Sequence, residues 1–415
     1  MPELRPVRTH LEIILEALGP LPPVTRPLRE ALGLTLAADV ASRTDLPAFT
    51  NSAMDGYAVR AQDLLGAGPA SPVALPVDGD IAAGDTRWHV LAPGHAMRIM
   101  TGAPLPEGAD AVVAVEDTDG GTAEAAFLLA PAPGRHVRHQ GEDVRVGDVV
   151  LRSGTLLSPG HLALAAAANV PELEVIRRPR VSVVSTGDEL VPAGSELGHG
   201  QIVNSNELML AALVEAAGAE VARSSHLPDD LEVMREVLLD PPGEPDLVLT
   251  SGGVSMGAYD TVKEALGGAG VVEFAKVAMR PGMPQGFGLV GPRAVPVITL
   301  PGNPLSSLVS FHVFVLPALR RLSGLDPEGT ARFTAVAGTG WRSVPHKVEY
   351  TRVAVEASPD GLPRVRPFGG QASHSVGALA EASALAVVPV DVTEVREGMT
   401  LTCIPLVGQD RAHVL

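Results

Sequence analysis

An alternation of short β-branched runs with helical patterns, between residues 181 and 322, constrains this chain more than any other feature. The pattern predicts strands over 181–185, 220–224, 246–250, 271–278 and 295–300, and helices over 205–217, 229–239, 260–267 and 305–322. Repeated βαβ units cross over with a right hand. The sequence therefore predicts one mostly parallel sheet with helices on both faces.

The helix predicted over 205–217 carries its own end signals. Asn204 is a suitable N-cap, and Glu207, three residues on, can reach back to complete a capping box. Gly218 supplies the left-handed residue at which such a helix ends. Pro317 is expected to kink the helix predicted over 305–322.

The segments on either side of the sheet have a different pattern. Residues 51–139 are rich in Gly, Pro and short Val-containing runs, and the last 85 residues alternate in a similar way. The predicted fold is a multidomain α/β plus β protein with a central, mostly parallel, three-layer α/β/α domain and a C-terminal β barrel. The expected domains are a discontinuous linking domain (1–50 with 140–178), a small β domain (51–139), the α/β domain (179–328) and the barrel (329–415).

Charge and composition exclude several classes of partner. The chain has 31 Lys and Arg against 48 Asp and Glu, and a net charge of −17 repels nucleic-acid backbones and anionic membranes. Two Trp, three Tyr and eight Phe are too few for a base-stacking platform. The single cysteine, Cys403, and a start without the apolar core of a secretory signal indicate the cytoplasm. We therefore expect neither a nucleic acid nor a membrane as partner.

Three predicted strands end in glycine-containing turns, at residues 185–189, 251–257 and 301–304. Ligands of open α/β sheets collect at the carboxyl ends of the strands, where glycines let backbone N–H groups approach an anion. The three turns together predict an anion-binding crevice, although each alone could be an ordinary tight turn. The candidate binding residues are Thr186, Gly187, Asp188, Ser251, Gly252, Gly253, Ser255, Pro301, Gly302, Asn303, Pro304 and Ser306.

Carboxylates follow the same strand ends. Asp188, Glu189 and Asp260 offer the hard oxygen ligands that Mg²⁺ prefers beside a pyrophosphate. The alternative is that Asp188 stabilises its turn and Asp260 caps its helix.

Two glycine motifs, at 286–291 and 253–257, match patterns known from nucleotide-binding proteins and hydrolases. No Walker A lysine is present, and the G-x-G-x-x-G at 286–291 is followed by prolines, which assigns it to a hairpin rather than a dinucleotide site. The G-x-S-x-G at 253–257 fits a nucleophile elbow with Ser255 as the nucleophile, so a serine hydrolase is the enzymatic alternative. Against it, the strand is expected to end near Thr250 and the helix to begin near Asp260.

The chain resembles a known family in several long motifs. These are FTNSAMDGYA at 49–58, RIMTGAP at 98–104, GED at 141–143, STGDEL at 185–190, SGGVSMG at 251–257 and the turns RPGMP at 280–284 and PGNP at 301–304. In this order they resemble bacterial molybdopterin molybdenumtransferase (MoeA) and the E domain of gephyrin. The resemblance spans nearly the whole chain.

The resemblance implies an enzyme of molybdenum cofactor biosynthesis. Such an enzyme takes molybdate and adenylylated molybdopterin, inserts molybdenum, and releases AMP in a step that needs a divalent cation, here Mg²⁺. It also implies a homodimer that exchanges substrate and product with a molybdopterin adenylyltransferase and with downstream molybdoenzymes. A non-catalytic scaffold of the same fold, as gephyrin additionally provides, is the second alternative.

The family motifs also imply site residues. Asp55, Thr101, Asp143, Glu189 and Asp260 fall at catalytic positions, and Asp55 is expected to act across the dimer interface. Lys276, Arg280, Arg352 and Ser373 are the candidates for molybdate binding, with Arg280 and Met283 standing where many bacterial members have lysine. For Arg352 a solvated strand position is the alternative.

Overall fold

The computed structural model describes residues 4–254, 261–358, 361–369, 377 and 379–408. The chain forms two compact units: Met1–Val24, Gly33–Ala37 and Val175–Leu415 make up unit 1, and Thr25–Leu32 and Ala38–Glu174 make up unit 2. The helices are α1 (Val7–Glu16), α2 (Pro159–Ala167), α3 (Ser205–Ala216), α4 (Leu231–Leu239), α5 (Thr261–Gly268), α6 (Pro304–Ser310) and α7 (Leu316–Leu322).

The strands of the first half of the chain are short. They are β1 (Pro23–Pro27), β2 (Thr35–Leu36), β3 (Val40–Ala41), β4 (Asn51–Ser52), β5 (Gly56–Val59), β6 (Val73–Ile81), β7 (Ala96–Ile99), β8 (Ala111–Ala114), β9 (Glu124–Phe127), β10 (Val137–Arg138), β11 (Val149–Leu151) and β12 (Glu172–Ile176). Short 3₁₀ turns cover Leu28–Glu30, Ala61–Leu64 and Val115–Asp117.

The strands of the second half are β13 (Arg180–Thr186), β14 (Leu190–Val191), β15 (Ile202–Val203), β16 (Glu220–Leu227), β17 (Leu247–Ser251), β18 (Val272–Lys276), β19 (Met279–Arg280), β20 (Pro284–Val290) and β21 (Val295–Leu300). After α7 follow β22 (Phe333–Ala337), β23 (Trp341–Arg342), β24 (Val348–Glu356), β25 (Arg364–Pro367), β26 (Ala384–Val388), β27 (Glu394–Val395) and β28 (Thr400–Pro405).

The predicted α/β sheet is present in unit 1 as six strands in the order β16-β13-β17-β21-β20-β18. The first four are parallel, while β20 pairs antiparallel with both β21 and β18. The motif at 286–291 accordingly lies in the β20–β21 hairpin, as predicted. The chain reverses there because Pro292 and Pro296 follow the motif and no helix begins.

Alternate residues of the central strands enter two separate hydrophobic cores. Val183, Leu249 and Ile298 pack with α3, α6 and α7, whereas Val248 and Val297 pack with α4 and α5 on the opposite face. Both faces of the sheet are thus covered by helices, which confirms the predicted three-layer arrangement. A strand buried on both faces must be apolar throughout, as β17 is apart from its last two residues.

The predicted helix ends are confirmed at α3. Asn204 Oδ1 accepts a hydrogen bond from Glu207 N, and Gly218 has a left-handed φ of 85°. The last helix runs from Pro304 to Leu322, and a π-helical turn at Phe311–Val315 precedes Pro317. This helix has the length and apolar composition of a membrane span, but 89% of it is buried inside the protein, as expected of a core helix.

The C-terminal strands close into the predicted barrel. β24 pairs with β25 and β26, β28 pairs with β26 and β22, and β22 pairs with β25, so five strands form a ring. The short strand β19 adds to β24 in parallel. Cys403 lies inside the barrel core, where burial raises the pKa of its thiol to about 12. This cysteine is a buried small hydrophobe, as predicted.

Unit 2 contains a five-stranded sheet in the order β8-β5-β7-β6-β9. Tyr57 and Phe127 pack edge to face in its core, with ring centroids 5.5 Å apart. Strand β5 lies between β7 and β8 and pairs antiparallel with both of them, although β6 is the strand that follows it in the sequence. A small β structure is therefore present in the predicted part of the chain.

Candidate active site

A cavity of about 700 Å³ opens at the carboxyl ends of β13, β17 and β21. The predicted residues on its wall are Thr186, Gly187, Glu189, Ser251, Gly252, Gly253, Pro301, Gly302, Asn303 and Pro304. All three glycine turns therefore meet at one edge of the sheet, since parallel strands end on the same side. We refer to this space as the main cavity.

Close backbone contact explains the glycine at position 252. Its φ is 101°, and a Cβ there would lie 2.9 Å from both the carbonyl oxygen and Oγ1 of Thr186. A Cβ on Gly302 would in turn lie 3.5 Å from the Gly252 Cα atom. The turns after β13, β17 and β21 are thus packed against one another, and the contact with Thr186 permits only glycine at position 252, whereas the distance at Gly302 is an ordinary van der Waals contact.

One expected donor is turned away from the main cavity. The Gly252 N–H donates to Leu300 O at 3.1 Å, so it joins β17 to β21 instead of being offered to a ligand. This N–H completes the pairing of the two strand ends, and the role of Gly252 as a substrate-binding residue stays a prediction. Gly252 contributes the close packing described above.

The first turn of α3 fastens the strand ends. Asn206 Nδ2 donates to Ser251 Oγ at 2.8 Å and to Gly302 O at 2.6 Å. The Glu207 carboxylate accepts from Asn204 Nδ2 at 2.7 Å, from Ser185 Oγ at 3.2 Å and from Ser224 Oγ at 2.7 Å. The capping box is therefore incomplete. The Glu207 carboxylate binds Ser185 in β13 and Ser224 in β16, and it does not accept from the backbone N–H of Asn204, which donates to Val191 O.

The charged side chains on the described wall of the main cavity are both acidic. Glu189 was predicted, and Asp229 was not. The Asp229 N–H donates to Asp188 Oδ1 at 3.0 Å, and the Asp188 N–H reaches Asp229 Oδ2 at 3.4 Å. Asp188 thus links two loops and does not itself line the cavity. Among the described residues no group of three or more His, Cys, Asp or Glu side chains could hold a metal ion by itself.

Lys276 lies in a second cavity, also of about 700 Å³, which shares Val254 and Pro284 with the main cavity. Arg5 and Lys263 line it as well, and Glu273 is its described acidic residue. Arg5 forms an ion pair with Glu273. We refer to this space as the basic cavity. The two cavities differ in charge although they share part of their walls.

The other cationic candidates lie apart from both cavities. Arg280 is exposed, and its Nε is 4.0 Å from Glu349 Oε1. Arg352 is 0% exposed on strand β24, and burial lowers the pKa of its guanidinium. The alternative of a solvated strand residue is wrong for Arg352, because the strand face that it shares with Tyr350 and Leu385 is covered by the hydrophobic core around α3, α6 and α7.

Ser306 is buried in α6 and is not on the described wall of the main cavity. The role of Ser306 as a substrate-binding residue stays a prediction. The helix begins at Pro304, and the residues of this turn that line the cavity are Pro301, Gly302, Asn303 and Pro304.

Two predicted catalytic residues lie together in unit 2. Asp55 Oδ1 accepts hydrogen bonds from Thr101 N at 2.6 Å and from Thr101 Oγ1 at 2.8 Å. These two donors hold the pKa of the Asp55 carboxyl below its ordinary value. Asp143, also in unit 2, is exposed next to the bridge between Leu46 and Val144. Ser255, Asp260 and Ser373 lie outside the described residues.

Sequence reasoning missed five polar residues on the described wall of the main cavity: Asn204, Ser205, Asn206, Asp229 and Thr261. The sequence assigns Asn204 only as a helix cap, and Asp229 only as the start of the helix that follows β16. A signal was available for Asp229, which begins the connection after a strand of the parallel sheet. Asn206 gave no local signal, because its partners are 45 and 96 residues away.

The fold and cavity define a multidomain α/β plus β protein whose α/β domain carries a candidate binding site at the carboxyl ends of its strands. Family models match in three segments: the MoeA N-terminal region (domains I and II) at residues 5–169, the probable molybdopterin binding domain at 182–321, and the MoeA C-terminal region (domain IV) at 334–406.

Similar proteins cover the chain almost completely. Molybdopterin molybdenumtransferase 2 of Mycobacterium tuberculosis is 45% identical over 96% of this chain and 98% of its own length. Molybdopterin molybdenumtransferase of Haemophilus influenzae is 36% identical over 91% and 92%. The crystal structure of the molybdopterin biosynthesis moeA protein from Pyrococcus horikoshii OT3 superposes with a TM-score of 0.81 at 29% identity, over 97% of this chain and 100% of that one. The chain belongs to the molybdopterin molybdenumtransferase family.

Proposed function

We propose that the protein is a transferase of molybdenum cofactor biosynthesis that inserts molybdenum from molybdate into adenylylated molybdopterin and releases AMP. Relatives that carry the transferase name at 36–45% identity support the activity. Hydrolysis of the phosphoanhydride bond consumes a water molecule and frees AMP. The two dithiolene sulfurs bind molybdenum in place of one oxygen atom of molybdate, which leaves as one water molecule with the two thiol protons.

The pairing of an acidic and a basic cavity is the observation that carries this proposal. A pyrophosphate in the main cavity would face Glu189 and Asp229, two carboxylates that repel it. The basic cavity has Lys276 on its wall, a cation that suits a small oxyanion. The proposal therefore places the adenylylated pterin in the main cavity and molybdate near Lys276.

The acidic wall fits a divalent cation. Mg²⁺ is commonly held by one or two carboxylates together with substrate phosphates, and Glu189 and Asp229 supply such a pair. When bound, the cation would neutralise the charge of the pyrophosphate. Glu189 and Asp229 would hold it, while Asp188 keeps their two loops together. Asp260 stays a candidate ligand from the family motif.

The family resemblance supports further proposals about assembly. The protein would act in the cytoplasm as a homodimer in which Asp55 completes the site of the partner subunit. It would receive its substrate from a molybdopterin adenylyltransferase and pass the product to molybdoenzymes. The four-domain division also remains a prediction.

Release of AMP tests the proposed activity. Purified protein is mixed with adenylylated molybdopterin, with or without molybdate and Mg²⁺, and AMP is quantified by chromatography. We expect release only when molybdate and Mg²⁺ are both present, with Glu189→Gln strongly impaired and the exposed helix variant Glu215→Gln like the wild type. Release that is independent of molybdate would contradict the proposal.

Mixed dimers test the role of Asp55. Inactive Asp55→Ala and Glu189→Ala subunits, carrying different tags, are co-expressed, and dimers with both tags are purified. If Asp55 acts across the interface, one intact site forms in each mixed dimer and part of the activity returns. Absence of activity in mixed dimers of normal stability would reject this arrangement.

A further inference from the structure

Asn206 connects two of the glycine turns that form the main cavity. Its Nδ2 donates to Ser251 Oγ at the end of β17 and to Gly302 O in the turn after β21. These acceptors belong to strands that are neighbours in the sheet, and the Gly252 N–H adds a third bond between the same strand ends. One amide group therefore bridges two walls of one cavity.

The orientation of the Asn206 amide is determined by its surroundings. Gly302 O is a carbonyl oxygen and can only accept, so the nitrogen of the amide must face it. Asn206 Oδ1 is buried and receives no hydrogen bond from the described residues. A buried acceptor without a donor is unfavourable, so the two donor bonds, not Oδ1, keep the side chain in place.

The bridge is independent of the helix cap. Asn204 caps α3, and its side chain donates hydrogen bonds to the side chains of Ser185 and Glu207. The side chain of Asn206 donates instead to Ser251 and Gly302. Loss of Asn206 should therefore loosen the two turns without removing the N-terminal cap of the helix.

We infer that Asn206 is a positioning residue, which fixes the turns around Gly252 and Gly302 at the separation that the adenylylated substrate requires. This inference rests on the proposed function for the identity of the substrate. The two turns line the main cavity throughout the reaction. Their displacement should therefore weaken binding of the ground state and of the transition state equally. The KM is then the quantity that changes.

Steady-state kinetics of AMP release test this inference. In Asn206→Ala we expect the KM for adenylylated molybdopterin to rise about tenfold, from the loss of two hydrogen bonds, with kcat within about twofold of the wild type. Asn206→Asp keeps the size of the side chain, yet it turns an oxygen toward Gly302 O and adds a third negative charge to the cavity. Its KM should rise further than that of Asn206→Ala. Glu215→Gln on the same helix should keep the wild-type KM.

A double variant separates positioning from folding. If Asn206 acts through Ser251, the effects of Asn206→Ala and Ser251→Ala on KM will not add, whereas two unconnected residues give additive effects. Thermal melting of each variant is measured in parallel. A lowered melting temperature together with an unchanged KM would show a merely structural role and overturn the inference.

Amide hydrogen exchange gives a readout that needs no substrate. Exchange of peptides covering 251–254 and 300–303 should be several-fold faster in Asn206→Ala, and exchange in β28 should not change. If the wild type releases no AMP in response to molybdate, the proposed function fails while the exchange result still decides the bridge. If AMP release is normal and neither KM nor exchange changes in Asn206→Ala, only the Asn206 inference fails.

Discussion

The α/β sheet and the C-terminal barrel present their candidate residues in different ways. At the sheet, Thr186, Ser251 and Pro301 come from three strand ends far apart in sequence and meet at one cavity. In the barrel, Arg352 is enclosed in the middle of a strand with no exposed surface. The parallel sheet gathers strand ends at one edge, whereas the barrel strand that carries Arg352 has its inner face in the barrel core and its outer face, with Arg352, covered by a second hydrophobic core. A polar residue thus indicates a site far more directly in the first region than in the second.

Truncation of Arg352 should give the largest effect on stability. Among the described residues Arg352 is the largest fully buried side chain, so Arg352→Ala leaves a cavity beside the barrel and should destabilise the fold by about 3 kcal/mol or more. Chemical denaturation followed by circular dichroism measures the loss. The exposed Arg396→Ala, in the same domain, should change stability very little. An Arg352→Ala variant with the stability of the wild type that needs more molybdate for AMP release would show that the barrel carries a site residue. This result would contradict the difference drawn between the two regions.

Gly252→Ala should give the largest effect on activity. Its new Cβ would come within 2.9 Å of the Thr186 backbone and displace the turn, so kcat/KM for adenylylated molybdopterin should fall about 100-fold, mainly through a higher KM. Gly200→Ala is the matched control, since Gly200 has a similar positive φ of 79° but open space around it. AMP release by the two variants is compared. Equal activity of both would mean that close packing of the turns does not form the site.

A buried histidine joins the two regions and should make their stability depend on pH. His312 Nδ1 donates to Leu308 O, and its Nε2 accepts from Val407 N just after the barrel strand β28. Burial lowers the pKa of His312 to about 4, so the folded protein keeps this ring neutral while the unfolded chain binds a proton below about pH 6.5. Stability from this group is complete above pH 6.5 and is lost as the pH falls toward 4.

The expected loss between pH 7 and pH 5 is about 2 kcal/mol for this group. Denaturant midpoints at several pH values measure it, with His312→Gln as the comparison. Burial also lowers the pKa of His10 to about 4, so the variant should keep part of the slope. Identical pH profiles of wild type and His312→Gln would show that His312 does not titrate in this way.

Lys276→Ala should give the smallest effect and should change only one ligand. Lys276 lies in the basic cavity and does not line the main cavity. Removal of one cation should raise the molybdate concentration needed for half-maximal AMP release about tenfold, which corresponds to one charge-assisted hydrogen bond. Binding of adenylylated molybdopterin should stay unchanged. An unaltered molybdate requirement would reject the role of Lys276.

Sequence alone predicted the α/β domain well because each of its signals is local. The strands over 181–185 and 295–300 and the helix after Asn204 lie within two residues of their predicted places. The glycine turns were predicted as one crevice because the direction of parallel strands fixes where they end. The antiparallel pairing of β20 with β18 was not predicted, since strand direction at the edge of a sheet leaves no mark in composition.

The limits of the prediction lie in long-range contacts. The burial of Arg352 depends on a hydrophobic core built from residues far away in sequence, such as Leu385, and the direction of the Gly252 N–H depends on Leu300. Neither contact leaves a periodic pattern in the sequence. Glu207 shows the same limit, because its local capping pattern is overridden by Ser185 and Ser224 on two strands.

The most direct test of the account is amide hydrogen exchange with and without adenylylated molybdopterin and Mg²⁺. The account predicts slower exchange on binding in the peptides that cover 186–190, 251–254 and 301–304, and no change in barrel peptides such as 384–388. Protection confined to the barrel, with the three turns unchanged, would contradict it.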